Sequence, residues 1–221
     1  MSQSSLFHNR QKLISQWLTS GLIYDEKIVS AFLQVPREHF VSKELQGQAY
    51  TDVPLPTLRD QSISQPSTVV LMLQALVVKK GDKILEVGTG VGYQACILSH
   101  LVESEGMIVT TEIIPELVIL SKKNISEMKC KNVLVLEHDG SVGEITHAPF
   151  DKIIVTAACP SIPETLVKQL KEGGILVCPI GTLDTQQMIK ATKLKGQLVI
   201  DLLGLFTFVP LRGKYGFEEE I

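Results

Sequence analysis

The stretch Glu86-Val87-Gly88-Thr89-Gly90-Val91-Gly92-Tyr93-Gln94, EVGTGVGYQ, decides the fold. It follows a short apolar run at residues 83–87 and precedes a helical pattern at residues 94–102. Glycines at such a junction let the backbone turn tightly and approach a ligand closely. A glycine-rich loop between a strand and a helix is typical of a doubly wound sheet, which binds its ligands at the carboxyl ends of the strands.

The spacing of the glycines distinguishes between cofactors. A dinucleotide-binding loop needs G-x-G-x-x-G, and its third glycine would fall at Tyr93. The lysine of a phosphate-binding P-loop is also missing from this stretch. A carboxylate at Glu86 would oppose a pyrophosphate and favours a cationic ligand, and S-adenosylmethionine carries both a sulfonium and an ammonium group. The loop therefore predicts cofactor-binding roles for Glu86, Gly88, Thr89, Gly90, Gly92, Tyr93 and Gln94.

Two more acidic residues end predicted strands. Glu112 ends the strand after the glycine loop, at roughly the separation of about 20 residues expected for a carboxylate that binds ribose hydroxyls. Asp139-Gly140 follows the third strand, where an acidic side chain would meet an adenine amino group. One such acid alone is typical of a solvated cap. Three acids at three successive strand ends predict an S-adenosylmethionine site that includes Glu112, Asp139 and Gly140.

Apolar patterns alternate between strand and helix after residue 65. Strand alternating with helix predicts an α/β fold with a doubly wound, mostly parallel, Rossmann-like sheet that carries helices on both faces. Residues 187–209 hold two more strand-like runs, MIKATKL and LVIDLLGLFTFV, which favour a hairpin or edge strands around Lys195-Gly196. The strands are predicted at residues 83–87, 107–111, 133–136, 152–155 and 175–177, and the helices at residues 68–78, 94–102, 115–128 and 163–170.

The first third of the chain follows a different pattern. Residues 6–35 predict two helices separated at Ser20-Gly21, which form an N-terminal helical extension. Residues 36–65 have no clear period, and we interpret them as a functional lid or wall, because long irregular segments in compact proteins are usually functional. We therefore divide one compact unit into residues 1–65, the helices and substrate-site loop, and residues 66–221, the domain with the predicted S-adenosylmethionine site.

Composition excludes several classes of function. The 221 residues are 44% hydrophobic with a net charge of −3, which permits a sizeable core but no broad basic field for nucleic acid. No apolar run resembles a signal peptide or a membrane span, so we expect a cytoplasmic protein without a membrane partner. The four cysteines form no CxxC pair, so we expect no metal site, and we predict buried thiols for the three that lie in apolar segments. They are Cys96, Cys130, Cys159 and Cys178.

The stretch DQSISQPST, residues 60–68, allows two interpretations. Pro66 suits the first turn of a helix, and Ser64 or Gln65 then lies near the N-cap, where a serine oxygen can accept a free backbone amide. A cap needs only one hydroxyl, so the other polar residues remain available to bind a substrate.

Seven stretches along the chain resemble the protein-L-isoaspartate O-methyltransferase family. The resemblance covers most of the chain, from about residue 35 to residue 213, and QSISQP, VTAA and FVPL are much more specific than the glycine loop. The matching stretches are VPREHF (35–40), YTDVPLP (50–56), QSISQP (61–66), EVGTGVGYQ (86–94), APFDKIIVTAA (148–158), QLKEGG (169–174) and FVPL (208–211).

The resemblance implies the activity. Such an enzyme transfers a methyl group from S-adenosylmethionine to the free carboxylate of isoaspartyl residues in damaged peptides and proteins, and the ester then closes to a succinimide. Ser64 matches the family's active-site serine. We expect a monomer whose partners are isoaspartyl peptides and proteins. The implied substrate-binding residues are Ser62, which stands where the family usually has threonine, Ile63, Thr156, Ala157, Val209, Pro210 and Leu211.

Two departures from the family pattern leave alternatives open. The family usually has two glycines where this chain has Thr57-Leu58-Arg59-Asp60, so a methyltransferase acting on another carboxylate or a small molecule is an alternative. His138 replaces a family glycine, and we interpret it as a strand-end histidine rather than a base. A binding protein without catalysis is a further alternative, but it would have lost Ser64 or the glycine loop, and both are present.

Overall fold

The computed structural model describes residues 3–218 as a seven-stranded sheet with helices on both faces and a small hairpin. The hairpin pairs β1 (Leu55–Pro56) with β2 (Ser62–Ile63). The strands of the sheet are β3 (Lys83–Val87), β4 (Met107–Glu112), β5 (Val133–Glu137), β6 (Phe150–Val155), β7 (Leu170–Gly181), β8 (Gln186–Leu194) and β9 (Gln197–Phe206). The helices are α1 (Gln3–Ser20), α2 (Glu26–Gln34), α3 (Pro66–Leu76), α4 (Tyr93–Val102), α5 (Pro115–Glu127) and α6 (Glu164–Gln169).

The strand order is β5-β4-β3-β6-β7-β8-β9. The first five strands in this order pair in parallel, and β8 and β9 are antiparallel additions at one side. The predicted α/β fold class is therefore confirmed. The chain order reverses between β3 and β6, which is the point where doubly wound sheets bind ligands.

One strand is longer than the sequence predicts, and a predicted hairpin is present. The short strand predicted at residues 175–177 is part of the twelve-residue β7, which begins at Leu170, the last residue of the predicted helix. Leu170 pairs with Phe150 of β6, and a register shift follows, so tertiary pairing extends a strand through the polar segment Lys171-Glu172 that has no strand pattern. The predicted hairpin around Lys195-Gly196 is present, with both residues at positive φ, as in a two-residue turn.

The irregular segment contains little regular structure, as predicted. Between α2 and α3 the chain forms two 3₁₀ turns, Arg37–Phe40 and Gln46–Gln48, followed by the β1–β2 hairpin. The domain division also includes residues 1, 2 and 219–221, which lie outside the described residues.

The N-terminal helices share the core of the sheet. Trp17 of α1 contacts Phe32 of α2 with ring centroids 5.0 Å apart, and Phe32 in turn lies 6.4 Å from Tyr93, the first residue of α4. Phe40 packs on the same tyrosine at 5.3 Å. These buried aromatic contacts connect the N-terminal extension to the residue that ends the glycine loop.

Residues 3–218 contain neither a membrane-spanning helix nor a cluster of metal ligands. No helix in this range has the length and apolarity needed to cross a membrane. The same residues contain no group of three or more histidine, cysteine or acidic side chains suited to a metal ion. The four cysteines are free thiols; Cys130 is half-buried and the other three are buried.

Candidate active site

The largest set of predicted site residues surrounds one cavity at the carboxyl edge of β3, β4 and β6. We call it the loop cavity, and it lies between the glycine loop, the hairpin and residues 209–212. The predicted residues that line it are Ser62, Ile63, Ser64, Gly88, Thr89, Gly90, Tyr93, Gln94, Glu112, Gly140, Thr156, Ala157, Val209, Pro210 and Leu211. Glu86, Gly92 and Asp139 do not line it.

Two glycines make the cavity floor possible. Gly88 has φ +96°, and a Cβ there would lie 2.3 Å from Oγ1 of Thr156, so no other residue fits. Gly90 has φ +53°, and a Cβ there would have no described protein atom within 4 Å. The backbone at Gly90 therefore borders open space, which is the geometry of a cradle for a ligand.

Glu112 organises the wall next to the glycine loop. Its Oε2 accepts the amide of Gly90 at 2.8 Å, and its Oε1 accepts the amides of Ile113 and Ile114 at 2.9 and 3.0 Å. Burial raises the pKa of this carboxyl group, while the three amides act in the opposite direction. Because Oε2 accepts only one amide, it retains a lone pair that can accept a ligand hydroxyl.

Glu86 lies behind the cavity wall and differs from the sequence expectation of a charged group facing the ligand. It is fully buried, and Oε2 accepts the hydroxyl of Thr110 at 2.6 Å. Thr110 is in turn 2.7 Å from the hydroxyl of Thr89, which does line the cavity. Burial, with the nearby charge of Glu112, raises the pKa of Glu86 to about 8. At neutral pH this side chain is therefore mostly a protonated acid.

Replacing Glu86 with glutamine is expected to flatten the dependence of stability on pH. The folded pKa of about 8 exceeds the ordinary value of 4.5, so the folded protein holds a proton that the unfolded chain releases. The resulting stability is complete below pH 4.5 and is lost as pH rises through about 8. Urea unfolding of the wild type should give a free energy that falls with pH in this window, by at most about 1.4 kcal/mol per pH unit from this group. Parallel profiles for wild type and Glu86→Gln would contradict the assignment.

Asp139 and Gly92 support the cavity from outside. Oδ1 of Asp139 accepts the amide of Ser141 at 2.9 Å, and Oδ2 accepts the amide of Lys214 at 2.8 Å. The side chain that the sequence suggested for adenine does not line the cavity, and through Lys214 it fixes the C-terminal segment beside it. Gly92 faces α5, where a Cβ would lie 3.0 Å from Ile125.

His138 lines the loop cavity, and its Nε2 lies 3.0 Å from the carbonyl oxygen of Gly143. A ring nitrogen next to a carbonyl is a donor, so this nitrogen carries a proton. The contact agrees with a strand-end histidine that is fixed by the backbone.

A second depression meets the loop cavity at the hairpin. We call it the hairpin groove, and its walls include Pro54, Thr185 and residues 205–209. Four residues border both spaces, and we call this shared boundary the passage. These shared residues are Ser62, Ser64, Thr156 and Val209.

The passage offers neutral hydroxyl groups. Oγ1 of Thr156 lies 2.7 Å from the carbonyl oxygen of Gly88, so its proton is used by the backbone. The hydroxyls of Ser62 and Ser64 have no hydrogen-bond partner within residues 3–218 and remain free to donate to a ligand. A carboxylate that enters the passage from the groove therefore meets two neutral donors.

The N-cap of α3 lies at one of the two predicted positions, but the predicted serine oxygen does not cap the helix. The cap residue is Gln65, which makes no side-chain hydrogen bond to the helix. The amide of Ser67 is instead satisfied by Oδ1 of Asp52 at 2.8 Å, fifteen residues earlier in the chain. Because Asp52 satisfies this helix amide, the hydroxyl of Ser64 is not needed for the cap.

Arg37 holds the backbone of the hairpin and was missed by the sequence analysis. Its guanidinium group is fully buried and donates to the carbonyl oxygens of Ser64 at 3.0 Å and Ala49 at 2.6 Å, with longer contacts to Val53 and Ile63. Burial lowers the pKa of Arg37. The only sequence signal was a charged residue inside the matched stretch VPREHF.

The departure at residues 57–60 is a tight turn at the tip of the hairpin. Arg59 and Asp60 both have φ +57°, a left-handed conformation that usually favours glycine or asparagine. The guanidinium of Arg59 pairs with the carboxylate of Glu116 on α5. This exposed ion pair joins the hairpin tip to the wall that carries Glu112.

Comparisons with known proteins match the same family along most of the chain. The sequence model of a family described as protein-L-isoaspartate(D-aspartate) O-methyltransferase matches residues 8–216. A protein-L-isoaspartate O-methyltransferase of Methanosarcina mazei is 43% identical over 209 residues, covering 94% of this chain and 85% of that protein. Protein-L-isoaspartate O-methyltransferase 1 of Archaeoglobus fulgidus is 40% identical over 212 residues, covering 96% of this chain and 97% of that protein.

Solved structures share the fold. A crystal structure from Plasmodium falciparum, described as a candidate protein-L-isoaspartate O-methyltransferase in complex with S-adenosyl-L-homocysteine, is 28% identical with a TM-score of 0.82. It covers 92% of this chain and 98% of that chain. A structure named protein-L-isoaspartate O-methyltransferase is 30% identical with a TM-score of 0.85, over 93% of this chain and 66% of that chain.

Proposed function

Because this chain belongs to the protein-L-isoaspartate(D-aspartate) O-methyltransferase family, we propose that the loop cavity and the hairpin groove carry out that family's reaction. The protein is an S-adenosylmethionine-dependent carboxyl O-methyltransferase. It methylates the free carboxylate of isoaspartyl residues in damaged proteins and so initiates repair through a succinimide. The observation that carries the assignment of the site is the passage at Ser62, Ser64, Thr156 and Val209, where the two spaces meet.

The loop cavity fits the cofactor. S-adenosylmethionine supplies an electrophilic methyl group when it is bound. We assign Glu112 to accept from a ribose hydroxyl through the free lone pair of Oε2. The open space beside Gly90 supports close approach of the ligand to the backbone. Glu86 supports the wall through Thr110 and Thr89, and Asp139 supports it through the C-terminal segment.

The hairpin side fits a carboxylate acceptor. A carboxyl group with an ordinary pKa near 4 is already ionised at neutral pH, so it needs no general base. We assign Ser64, with Ser62 beside it, to donate to one carboxylate oxygen, which leaves the other oxygen free to attack. Neutral hydroxyls orient the acceptor without withdrawing as much charge as a lysine or arginine would. The residues thus act mainly by positioning.

Methyl transfer to a matched pair of peptides tests this function. The peptides have the same sequence, and one carries isoaspartate where the other carries normal aspartate. With radiolabelled S-adenosylmethionine we expect base-labile label on the isoaspartyl peptide alone. Label on free dicarboxylic acids instead would support a small-molecule acceptor, and label on neither peptide would contradict the proposal.

Glu112→Gln is expected to weaken cofactor binding by at least about fivefold, or about 1 kcal/mol, because an amide group cannot accept from all its neighbours as the carboxylate does. Isothermal titration with S-adenosyl-L-homocysteine measures the dissociation constant. Glu137→Gln, the same change at the exposed end of β5, is the matched control and should leave binding unchanged. An equal constant for Glu112→Gln and wild type would remove Glu112 from the cofactor site.

The remaining assignments concern the whole chain. We propose a cytoplasmic monomer whose partners are isoaspartyl peptides and proteins, without nucleic acid or membrane partners. We also propose that residues 1–65 and 66–221 act as substrate-side and cofactor-side parts of one unit. The net charge of −3 supports the exclusion of nucleic acid, and the aromatic contacts from Trp17 to Tyr93 support a single unit.

A further inference from the structure

Strand β9 forms a long open edge of the sheet. It has ten residues, and within residues 3–218 its backbone pairs with β8 alone. Every second residue of an edge strand presents an N–H and a C=O group to the outside. The other edge, β5, has only five residues. The edge at β9 is therefore the larger template for another extended chain.

The side chains of β9 are unusually apolar for an exposed edge. Its sequence, QLVIDLLGLF, contains one charged residue, Asp201, and neither lysine nor proline. Proteins commonly protect open edges with charged residues, proline or a covering element. Leu202 is 69% exposed and Leu205 is 70% exposed, and Val199, Ile200 and Leu203 are also exposed. Pairing with Ala191, Ile189 and Gln187 of β8 puts Ile200, Leu202 and Leu205 on one face of β9, and an exposed apolar row of this kind marks an interaction site.

The open edge leads into the hairpin groove. Leu205 and Phe206 end β9 and already line the groove, and the chain continues along its wall as residues 207–209. Strand β9 also runs parallel to β7, because both pair antiparallel with β8, so its last residues lie at the carboxyl edge of the sheet. A peptide that leaves the groove in this direction meets the open backbone of β9.

We infer that β9 is a docking edge for the substrate chain. The residues on one side of the isoaspartyl residue pair with β9 as an added strand, and apolar side chains of that segment pack on Leu202 and its neighbours. The inference rests on the proposed function and extends it to a class of substrate, namely extended, apolar segments of unfolded protein. Strand addition gives affinity through backbone hydrogen bonds, so it tolerates many sequences.

A second copy of the chain fits this edge less well. A copy paired along the whole of β9 would cover Leu205 and Phe206, which line the hairpin groove. It would then obstruct the entrance that the acceptor needs. A substrate strand uses the same surface and leads directly to the passage at Ser64.

A series of isoaspartyl peptides tests the inference. One peptide carries a single residue on each side of the isoaspartate, and two others add an uncharged tail of about eight alternating apolar residues before or after it, enough to follow β9 at about 3.3 Å per residue. We expect one tail to lower KM by about tenfold without a change in kcat. N-methylation of alternate amides in that tail should raise KM back to the value for the short peptide, because it blocks the backbone hydrogen bonds.

A pair of variants tests the protein side. In Leu202→Lys the tail should lower KM much less than it does in the wild type. The KM for the short peptide and the kcat should stay unchanged. Ile119→Lys is the matched control, since Ile119 is an equally exposed apolar residue, at 72%, on α5. Because α5 follows β4, far from β9 in the strand order, this variant should behave as wild type.

Several results would overturn the inference. The short and tailed peptides could have equal KM values. The lower KM of the tailed peptide could also persist after N-methylation of the tail, or persist in the Leu202→Lys variant. A dimer in sedimentation that Leu202→Lys converts to a monomer, with unchanged KM, would assign the edge to a second copy instead. Methylation of the short peptide separates this failure from that of the proposed function, because loss of label on every isoaspartyl peptide would contradict both.

Discussion

Arg37→Leu is expected to lower the free energy of unfolding by about 3 kcal/mol or more, because it removes a buried donor from several backbone carbonyls. The carbonyl oxygens of Ala49 and Ser64 lie within 3.0 Å of the guanidinium nitrogens, and leucine can donate to neither. For a chain of this size the loss corresponds to a melting temperature roughly 6–12 °C lower. Calorimetry and urea unfolding measure both quantities.

Two comparison variants make this result specific. Arg37→Lys keeps the charge but has one donor group instead of a fork, so its loss of stability should be intermediate. Arg59→Leu removes an exposed arginine whose ion pair with Glu116 is worth less than about 1 kcal/mol. If Arg37→Leu melted within a degree of Arg59→Leu, the buried hydrogen bonds would not be what holds the hairpin.

Ser64→Ala is expected to lower kcat for the isoaspartyl peptide by about 10- to 100-fold, the value of one hydrogen bond to a charged group, roughly 1.5–3 kcal/mol. The hydroxyl is the proposed donor to the acceptor carboxylate, and no other group among residues 3–218 uses it, since Asp52 accepts the amide of Ser67 in the first turn of α3. Initial rates at saturating cofactor measure the loss.

The cofactor dissociation constant is the internal control for this variant. It should stay within about twofold of wild type, which is roughly 0.4 kcal/mol, because the carbonyl of Ser64, rather than its hydroxyl, carries the contact with Arg37. Ser62→Thr keeps a hydroxyl at the neighbouring position and should retain turnover. A large loss of cofactor affinity in Ser64→Ala would assign this serine to the wall of the loop cavity instead of the acceptor.

Most of the fold could be predicted from the sequence because its signals are local. The glycine loop, the apolar strands and the turn at Lys195-Gly196 each depend on a few neighbouring residues, and the family resemblance is confirmed along the chain. The first half of β7 could not be predicted, because Leu170 joins the sheet through its partner Phe150 and not through its own pattern.

The site was less predictable where side-chain direction matters. Glu86, Glu112 and Asp139 lie at or near the carboxyl ends of three strands, but Glu112 alone among them lines the loop cavity. Asp139 is drawn to the amide of Lys214, 75 residues away, and Glu86 is drawn to Thr110 on the next strand. These partners are far apart in the sequence, so no local pattern of residues predicts the contacts. The cofactor and acceptor roles of individual residues remain predictions.

The anchoring of the hairpin by Arg37 has a consequence for how this enzyme can change over generations. The guanidinium contacts main-chain oxygens at Ile63 and Ser64, and every amino acid supplies such an oxygen. Substitutions in this segment can therefore alter the surface presented to the acceptor while the backbone path stays the same. Single substitutions in this segment can therefore change which acceptor is bound. A substitution at Arg37 would instead remove the contacts that hold the backbone of the hairpin for every acceptor.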